Sequence, residues 1–321
     1  MSRVLAADIG ATRARFAVFD ENGHCEQASF ESSAHADGAV LAERFLHDLG
    51  LDVAACCVAV AGPVTNGVGE TTNSGLRIDR AELVRRLQLD AVAVVNDLVA
   101  LGHGLRELPE SGFRQIGGRA DATGAKAVLA PGTGLGMAVL VDDGDATRCL
   151  ASEGGHAPFA PADPLEQEVL GLLFAELGYV SWEDVVSGPG LERLYRAVCQ
   201  VWGSKPVQRG APVIAELGMS MTDPVCHQTL GMFCAILGSA AGSLALTSCA
   251  TGGVYIGGGI VPQILEFLID SAFRRRFDER GSMSAYVRSI PIYAVLDADT
   301  GLKGAARYAW GLLEEERRRL R

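Results

Sequence analysis

The segment "AADIGATRARFAVF", residues 6–19, decides the reading of this chain. An apolar run closes on Asp8 and a turn, Gly10-Ala11-Thr12, and a second apolar run from Phe16 to Phe19 follows at once. The second run is short and β-prone, so the turn joins two strands as a hairpin and does not open a helix. Such a turn is either a plain hairpin turn or a place where backbone N–H groups meet a phosphate. Residues 126–144, "KAVLAPGTGLGMAVLVDDG", repeat the arrangement around Gly132-Thr133-Gly134. A third glycine turn, Gly257-Gly258-Gly259, lies in "GGVYIGGGIVPQ", where Pro262 predicts the first turn of a helix. Neither hairpin matches GxxxxGK[ST], and no Rossmann helix follows either one. With one hairpin in each half of the chain, their N–H groups and the Thr12 and Thr133 hydroxyls are suited to clasp a polyphosphate from two sides.

Bulk properties narrow the ligand. A chain of 321 residues predicts about two domains, each with its own core. The formal charge of −11 repels nucleic acid and anionic membranes, so neither is an expected partner. An anionic ligand then requires oriented backbone N–H groups or a metal ion for neutralisation. No stretch reaches the roughly 20 uninterrupted apolar residues of a membrane span. Asp8 interrupts the apolar start, which argues against a secretory signal and for a cytoplasmic protein. Of the eight cysteines, Cys56 and Cys57 are adjacent and none forms a CxxC pair. Cys57, Cys199, Cys234 and Cys249 lie in apolar segments, where free thiols are expected to pack as small hydrophobes. Arg274–Arg276 and Arg317–Arg319 read as solvated helix faces, the latter following Glu314–Glu316 at ion-pairing spacing.

Strands are expected at 3–8, 13–20, 54–64 and 91–97, with helices at 39–50, 80–89 and 98–108. The polar, Gly-rich stretch 109–125 is the expected junction. Beyond it, helical patterns cover 164–178, 188–203 and 227–249. Three polar clusters stand out. Asp97 ends the apolar strand "AVAVVND", either as a helix N-cap or as a carboxylate poised to accept a hydroxyl proton. Glu153 and His156 flank two glycines on a loop stiffened by Pro158, Pro161 and Pro164. They serve either local structure or two neighbouring hydroxyls of a ligand, the imidazole donating and the carboxylate accepting. Glu183 in "SWEDVVSGPG" is either an exposed helix residue or a further ligand. No His/Cys cluster has metal-ligand spacing, so zinc is not expected.

Taken in order, "DIGATRARFAVF", "VVND", "APGTGLGMAVL", "EGGHAPFAP", "VVSGPGLERLYRA", "GGVYIGGGIVP" and "GLKGAA" resemble the bacterial ATP-dependent glucokinases of the hexokinase, actin and Hsp70 superfamily. The resemblance covers nearly the whole chain. It implies an α/β fold of two ribonuclease-H-like (actin-like) domains, with mixed sheets flanked by helices and separated by a cleft. The small domain would be 1–108, completed by a returning helix at 301–321, and the large domain 109–300. It implies an ATP-dependent hexokinase acting on the 6-hydroxyl of glucose or a related hexose, with Asp97 as general base. Asn73, Asn96, Asp97, Glu153, His156 and Glu183 would hold the sugar. Ala7, Asp8, Ile9, Gly10, Ala11, Thr12, Gly132, Thr133, Gly134, Gly257 and Gly258 would hold ATP. Asp8 would reach Mg2+ directly or through water, and the implied assembly is a homodimer.

A neighbouring group of kinases carries a zinc site rich in cysteine after the Glu-x-x-His region, but no cysteine lies between Cys149 and Cys199 here. Two loops depart from the pattern. Ala11 replaces a glycine and Arg13 an asparagine, and an alanine at positive φ would cost about 1 kcal/mol. In "TTNSGLRID", Leu76 stands where the family has tryptophan, which predicts a roomier sugar loop and a Leu76→Trp variant with tighter glucose binding, unless Leu76 only packs inside the small domain. The alternatives are a catalytically weak sugar-sensing relative or a kinase for a different hexose.

Overall fold

The computed structural model describes residues 2–71, 75–120, 122–143 and 146–319. The chain divides into two units: one runs from the N-terminus to Glu110 and resumes at Asp297, and the other spans Ser111–Leu296.

The first unit opens with β1 (Arg3–Ile9), β2 (Arg13–Asp20), β3 (Gly23–Glu31) and α1 (Gly38–Leu49). It continues with β4 (Ala55–Val60), the short β5 (Val64–Thr65), β6 (Val68–Glu70) and β7 (Arg77–Asp79), then α2 (Arg80–Leu87), β8 (Val92–Asn96) and α3 (Asp97–Gly104). Among the described residues the main sheet has the order β3-β2-β1-β4-β8. Its first three strands are antiparallel neighbours, and β4 and β8 join in parallel with β1.

Alternation of side chains along β1 explains why it reads as a continuous apolar run. Leu5, Ala7 and Ile9 face a core with α1 residues Leu41 and Phe45, whereas Val4 and Ala6 face a second core. The same alternation sends Cys56 and Cys57 to opposite faces. Burial pushes the Cys56 thiol up to about 12. α1 is started by Asp37, whose carboxylate accepts the Ala39 N–H at 2.8 Å, and ends at Gly50 in the left-handed region.

The second unit contains β9 (Phe113–Gly117), β10 (Lys126–Pro131), β11 (Leu135–Asp143) and β12 (Ala146–Ser152). Its helices are α4 (Pro164–Leu177), α5 (Trp182–Val185), α6 (Gly188–Val201), α7 (Ala211–Met219) and α8 (Pro224–Thr247). β13 (Gly253–Ile256), α9 (Leu265–Asp270), α10 (Phe273–Asp278), α11 (Ser284–Arg288) and β14 (Ile292–Val295) complete it. The sheet order β12-β11-β10-β13-β14-β9 repeats the topology of the first unit and adds β9 antiparallel at one edge. The 24-residue α8 is long and apolar enough to cross a membrane, yet it is largely buried as the central core helix of this unit.

α12 (Thr300–Arg319) then packs back in the first unit, its Leu302, Ala305 and Ala309 closing the core against Val4, Ala6 and Ala100. Glycines allow a close crossing with α3. A Cβ on Gly304 would stand 1.7 Å from the Ala100 carbonyl oxygen, and one on Gly104 would stand 2.0 Å from that of Thr300.

Four expectations need correction. Arg276, expected on a solvated helix face, is nearly inaccessible and pairs with buried Glu166. Cys249 is exposed and sits at positive φ in the turn after α8, outside the core. The segment after Gly257–Gly259 first makes a short 3-10 turn, Val261–Gln263, and only then α9. Leu76 is fully buried with Ile9, Leu41 and Ile78, and its N–H donates to Thr71 Oγ1 at 3.0 Å. It is a core residue, so the roomier-loop argument and the Leu76→Trp expectation both fall.

Candidate active site

In each unit the candidate residues gather at the carboxyl ends of the parallel strands, where open α/β sheets bind ligands. In the first unit, Ile9 of β1 lies beside Val60 of β4, and Val60 beside Asn96 of β8. One row therefore carries the Gly10–Thr12 turn, the Gly62-Pro63 break and the Asn96-Asp97 pair. In the second unit Leu129 of β10 lies beside Ile256 of β13, so the turns at 132–134 and 257–259 leave neighbouring strands.

The first turn is closed by the Gly10 N–H donating to the Arg13 carbonyl at 2.9 Å. Buried Ser32 pins it from behind: its hydroxyl donates to the Gly10 carbonyl at 2.8 Å and its N–H to the Thr12 carbonyl at 3.0 Å. The carbonyls are thus occupied, while the Ala11 and Thr12 N–H groups make no hydrogen bond among the described residues. Ala11 does not have positive φ, so the alanine carries no backbone strain. Ala7 and Ile9 have fully buried side chains and lie in ladders on both sides, so they support the turn and leave the reach toward a ligand to Asp8 and Gly10–Thr12.

Asp8 pairs with Arg15, directly opposite on β2. The same guanidinium donates to the Ala298 carbonyl at 2.9 Å and to Asp299 at 3.1 Å, tying the hairpin to the start of α12. Gly301 leaves room there, since a Cβ would lie 3.1 Å from Asp8 Oδ2. Sequence reasoning missed Arg15, Ser32 and Gly301 as parts of the site. Arg15 was findable only with the right register: four residues, Gly10–Arg13, separate the paired Ile9 and Ala14, and that places Arg15 opposite Asp8.

Asn96, rather than Asp97, takes the helix cap. Asn96 is the N-cap of α3: its side-chain oxygen accepts the Leu98 N–H at 2.9 Å and its amide donates to the Gly62 carbonyl at 3.1 Å. Asp97 is the first helical residue, half-buried, with Oδ1 accepting the same Leu98 N–H at 3.0 Å. The positive end of the helix favours a carboxylate at that position. Asn73 lies outside the described residues.

In the second unit two predicted carboxylates, those of Glu153 and Glu183, converge on the imidazole of the third predicted residue, His156. His156 Nε2 is 3.9 Å from Glu153 Oε2, and its Nδ1 is 4.0 Å from Glu183 Oε1. The loop is held by neighbours. The Tyr179 hydroxyl donates to the His156 carbonyl at 2.7 Å, and the Trp182 N–H to the Ala157 carbonyl at 3.0 Å. His156 and Glu153 remain mostly exposed, ready to exchange water for ligand hydroxyls.

The second hairpin turn is closed by the Gly132 N–H donating to the Gly134 carbonyl at 2.8 Å. Thr133 and Gly134 N–H groups make no hydrogen bond among the described residues. Gly258, at positive φ, lies against this turn, for a Cβ there would be 2.4 Å from the Pro131 carbonyl oxygen. Gly257 spends its N–H on the Leu129 carbonyl at 2.8 Å and is buried, so it shapes the turn from within.

A family model described as glucokinase matches residues 5–311. The chain belongs to the glucokinase family. The glucokinase of Hahella chejuensis is 37% identical over 307 residues, covering 94% of this chain and 95% of that protein. The glucokinase of Chromobacterium violaceum is 39% identical, with coverage of 95% and 88%. Among solved structures, a glucokinase from an Antarctic psychrotroph superposes with a TM-score of 0.86 at 35% identity, covering 97% of this chain and 99% of its own. Family membership agrees with the actin-like topology repeated in the two units.

Proposed function

We propose that this chain is an ATP-dependent glucokinase that transfers the γ-phosphoryl group of ATP to the 6-hydroxyl of glucose. The observation that carries the reading is the convergence of Glu153, His156 and Glu183, within a chain that matches the glucokinase family from residue 5 to 311. Asp97 is assigned the proton of the sugar's 6-hydroxyl, and Asn96 an adjacent hydroxyl. Glu153 and Glu183 accept hydrogen bonds from ring hydroxyls and His156 donates one. Phosphate binding is assigned, in the first unit, to the open N–H groups of Ala11 and Thr12 with Gly10, and in the second to those of Thr133 and Gly134 with Gly132 and Gly258.

No cluster of three or more metal-ligating side chains exists among the described residues. Mg2+ needs no such cluster, because it is held by one or two carboxylates together with substrate phosphates. Asp8, half-buried beside the space left by Gly301, fits that part, directly or through water. When bound, the ion would neutralise charge on the transferring phosphoryl group. The same reading carries a homodimer, to be tested by sedimentation velocity, and a cytoplasmic location.

A coupled assay of ADP release over a panel of hexoses tests the reading. Glucose should give the highest kcat/KM. Another hexose turned over tenfold more efficiently would replace glucose as the substrate, and no ADP release with any hexose would overturn the enzyme.

A further inference from the structure

The Glu183 carboxylate faces two ways, and only one direction is used by the sugar. Oε1 points toward His156, at 4.0 Å from Nδ1. Oε2 accepts the backbone N–H of Leu135 at 2.8 Å, 48 residues away in sequence. Leu135 is the residue immediately after the Gly132-Thr133-Gly134 turn. The fit is tight, because a Cβ on Gly134 would stand 2.4 Å from Glu183 Oε2. Any larger residue at 134 displaces the carboxylate or the turn.

The other end of the turn is gripped by the same short segment. The Gly188 N–H donates to the Gly132 carbonyl at 2.8 Å. The segment is itself braced: the Ser187 hydroxyl donates to the Glu183 carbonyl at 2.8 Å, and Ser181 and Asp184 form a reciprocal capping box at the start of α5. Residues 183–188 therefore form a clamp on both ends of the second phosphate turn, and one jaw of that clamp is a sugar ligand.

We propose that Glu183 is a positioning residue for the nucleotide turn as well as a sugar ligand, so that sugar on Oε1 and nucleotide on the turn favour one another's binding. This rests on the glucokinase reading above. The physical path is one side chain long. A sugar hydroxyl donating to Oε1 restricts the carboxylate's rotation, which fixes Oε2 against the Leu135 N–H and holds the amides of Thr133 and Gly134 in one orientation. Nucleotide binding to a turn already ordered loses less conformational freedom. By linkage the effect is reciprocal for the two affinities.

The test measures the dissociation constant of the non-hydrolysable analogue AMPPNP by calorimetry, with and without saturating glucose. It compares wild type, Glu183→Ala, Glu183→Gln and His156→Ala. Wild type should bind AMPPNP about fivefold or more tighter with glucose, within the usual range of coupling. Glu183→Ala removes the acceptor for the Leu135 N–H and should weaken AMPPNP binding about fivefold or more even without glucose. Glu183→Gln keeps an oxygen for that N–H while losing the charge facing the sugar. It should retain sugar-free AMPPNP affinity and raise the glucose KM. His156→Ala should raise the glucose KM and leave sugar-free AMPPNP affinity within twofold. If the alanine variant does not fold, Glu183→Asp, one methylene too short to reach Leu135, should show the same nucleotide loss. Sugar-free AMPPNP binding within twofold of wild type in Glu183→Ala or Glu183→Asp would overturn the coupling and leave the glucokinase reading standing. Failure of wild type to bind AMPPNP would overturn both.

Discussion

Arg276 on α10 is nearly inaccessible, and it makes a forked pair with fully buried Glu166 on α4, at 2.6 and 2.9 Å. The same guanidinium donates to Ser239 Oγ of α8 at 3.2 Å, so three helices share one charge network. Glu166 Oε2 also accepts the Ala162 N–H at 2.8 Å, at the end of the loop that begins with Glu153 and His156. Replacing Arg276 by methionine fills much of the volume but strands the Glu166 carboxylate in a dry interior. Breaking one side of such a pair costs about 3–5 kcal/mol. For a unit of this size each kcal/mol shifts the midpoint by about 2–4 °C, so the loss is roughly 6–20 °C. The double variant Arg276→Met/Glu166→Gln removes the stranded charge while keeping an acceptor for Ala162, and should recover at least half of that loss. Thermal unfolding followed by circular dichroism, with urea titrations in parallel, gives both numbers. A loss under about 1 kcal/mol in Arg276→Met, or a double variant no more stable than the single one, would refute the reasoning.

Other outcomes follow from single contacts. Gly304→Ala inserts a methyl into the Ala100 carbonyl and should push α12 from α3, lowering stability by about 1–3 kcal/mol in urea titration. Leu76→Trp overpacks the first unit's core and should cost about 1–3 kcal/mol without lowering the glucose KM, read by the same titration and by steady-state kinetics. Asp223 caps α8 through the Val225 and Cys226 N–H groups and pairs with Arg209, whose hydrogen bond holds this carboxyl below the usual range. Its contribution is therefore complete above the ordinary carboxylate pKa of about 3.9 and is lost as pH falls through the lower folded value. Asp223→Ala should cost about 1–2 kcal/mol at pH 7, and the gap to wild type should narrow below about pH 4 in chemical denaturation.

Much of this architecture is legible in the sequence because burial on both faces leaves continuous apolar runs. β1, β2, β4, β8, β10 and β11 all announce themselves that way. The strands that escape are edges or short pieces. β3 is mostly exposed and polar, β9 lies in a Gly-rich stretch at the edge of its sheet, and β14 is four residues long. Burial of Leu76 is not legible, since a leucine beside a glycine turn reads alike in a core and in a loop. At the site, Asp8, Asn96, Asp97, Glu153, His156 and Glu183 can be picked out because polar residues interrupt apolar runs or stiff loops. That Asn96 takes the cap depends on helix geometry one residue either way. That Glu183 reaches Leu135 depends on a fold that brings two distant segments together, and local pattern carries no trace of it.

The general base is the centre of the account. Asp97→Asn keeps the first position of α3 and the hydrogen-bonding shape of the side chain, but cannot take a proton from a sugar hydroxyl. In the coupled ADP-release assay with saturating glucose and MgATP, kcat should fall by about 10²-fold or more. AMPPNP affinity should stay close to that of wild type, because the phosphate turns are untouched. A kcat within threefold of wild type would contradict the assignment of Asp97 and, with it, the mechanism built on this site.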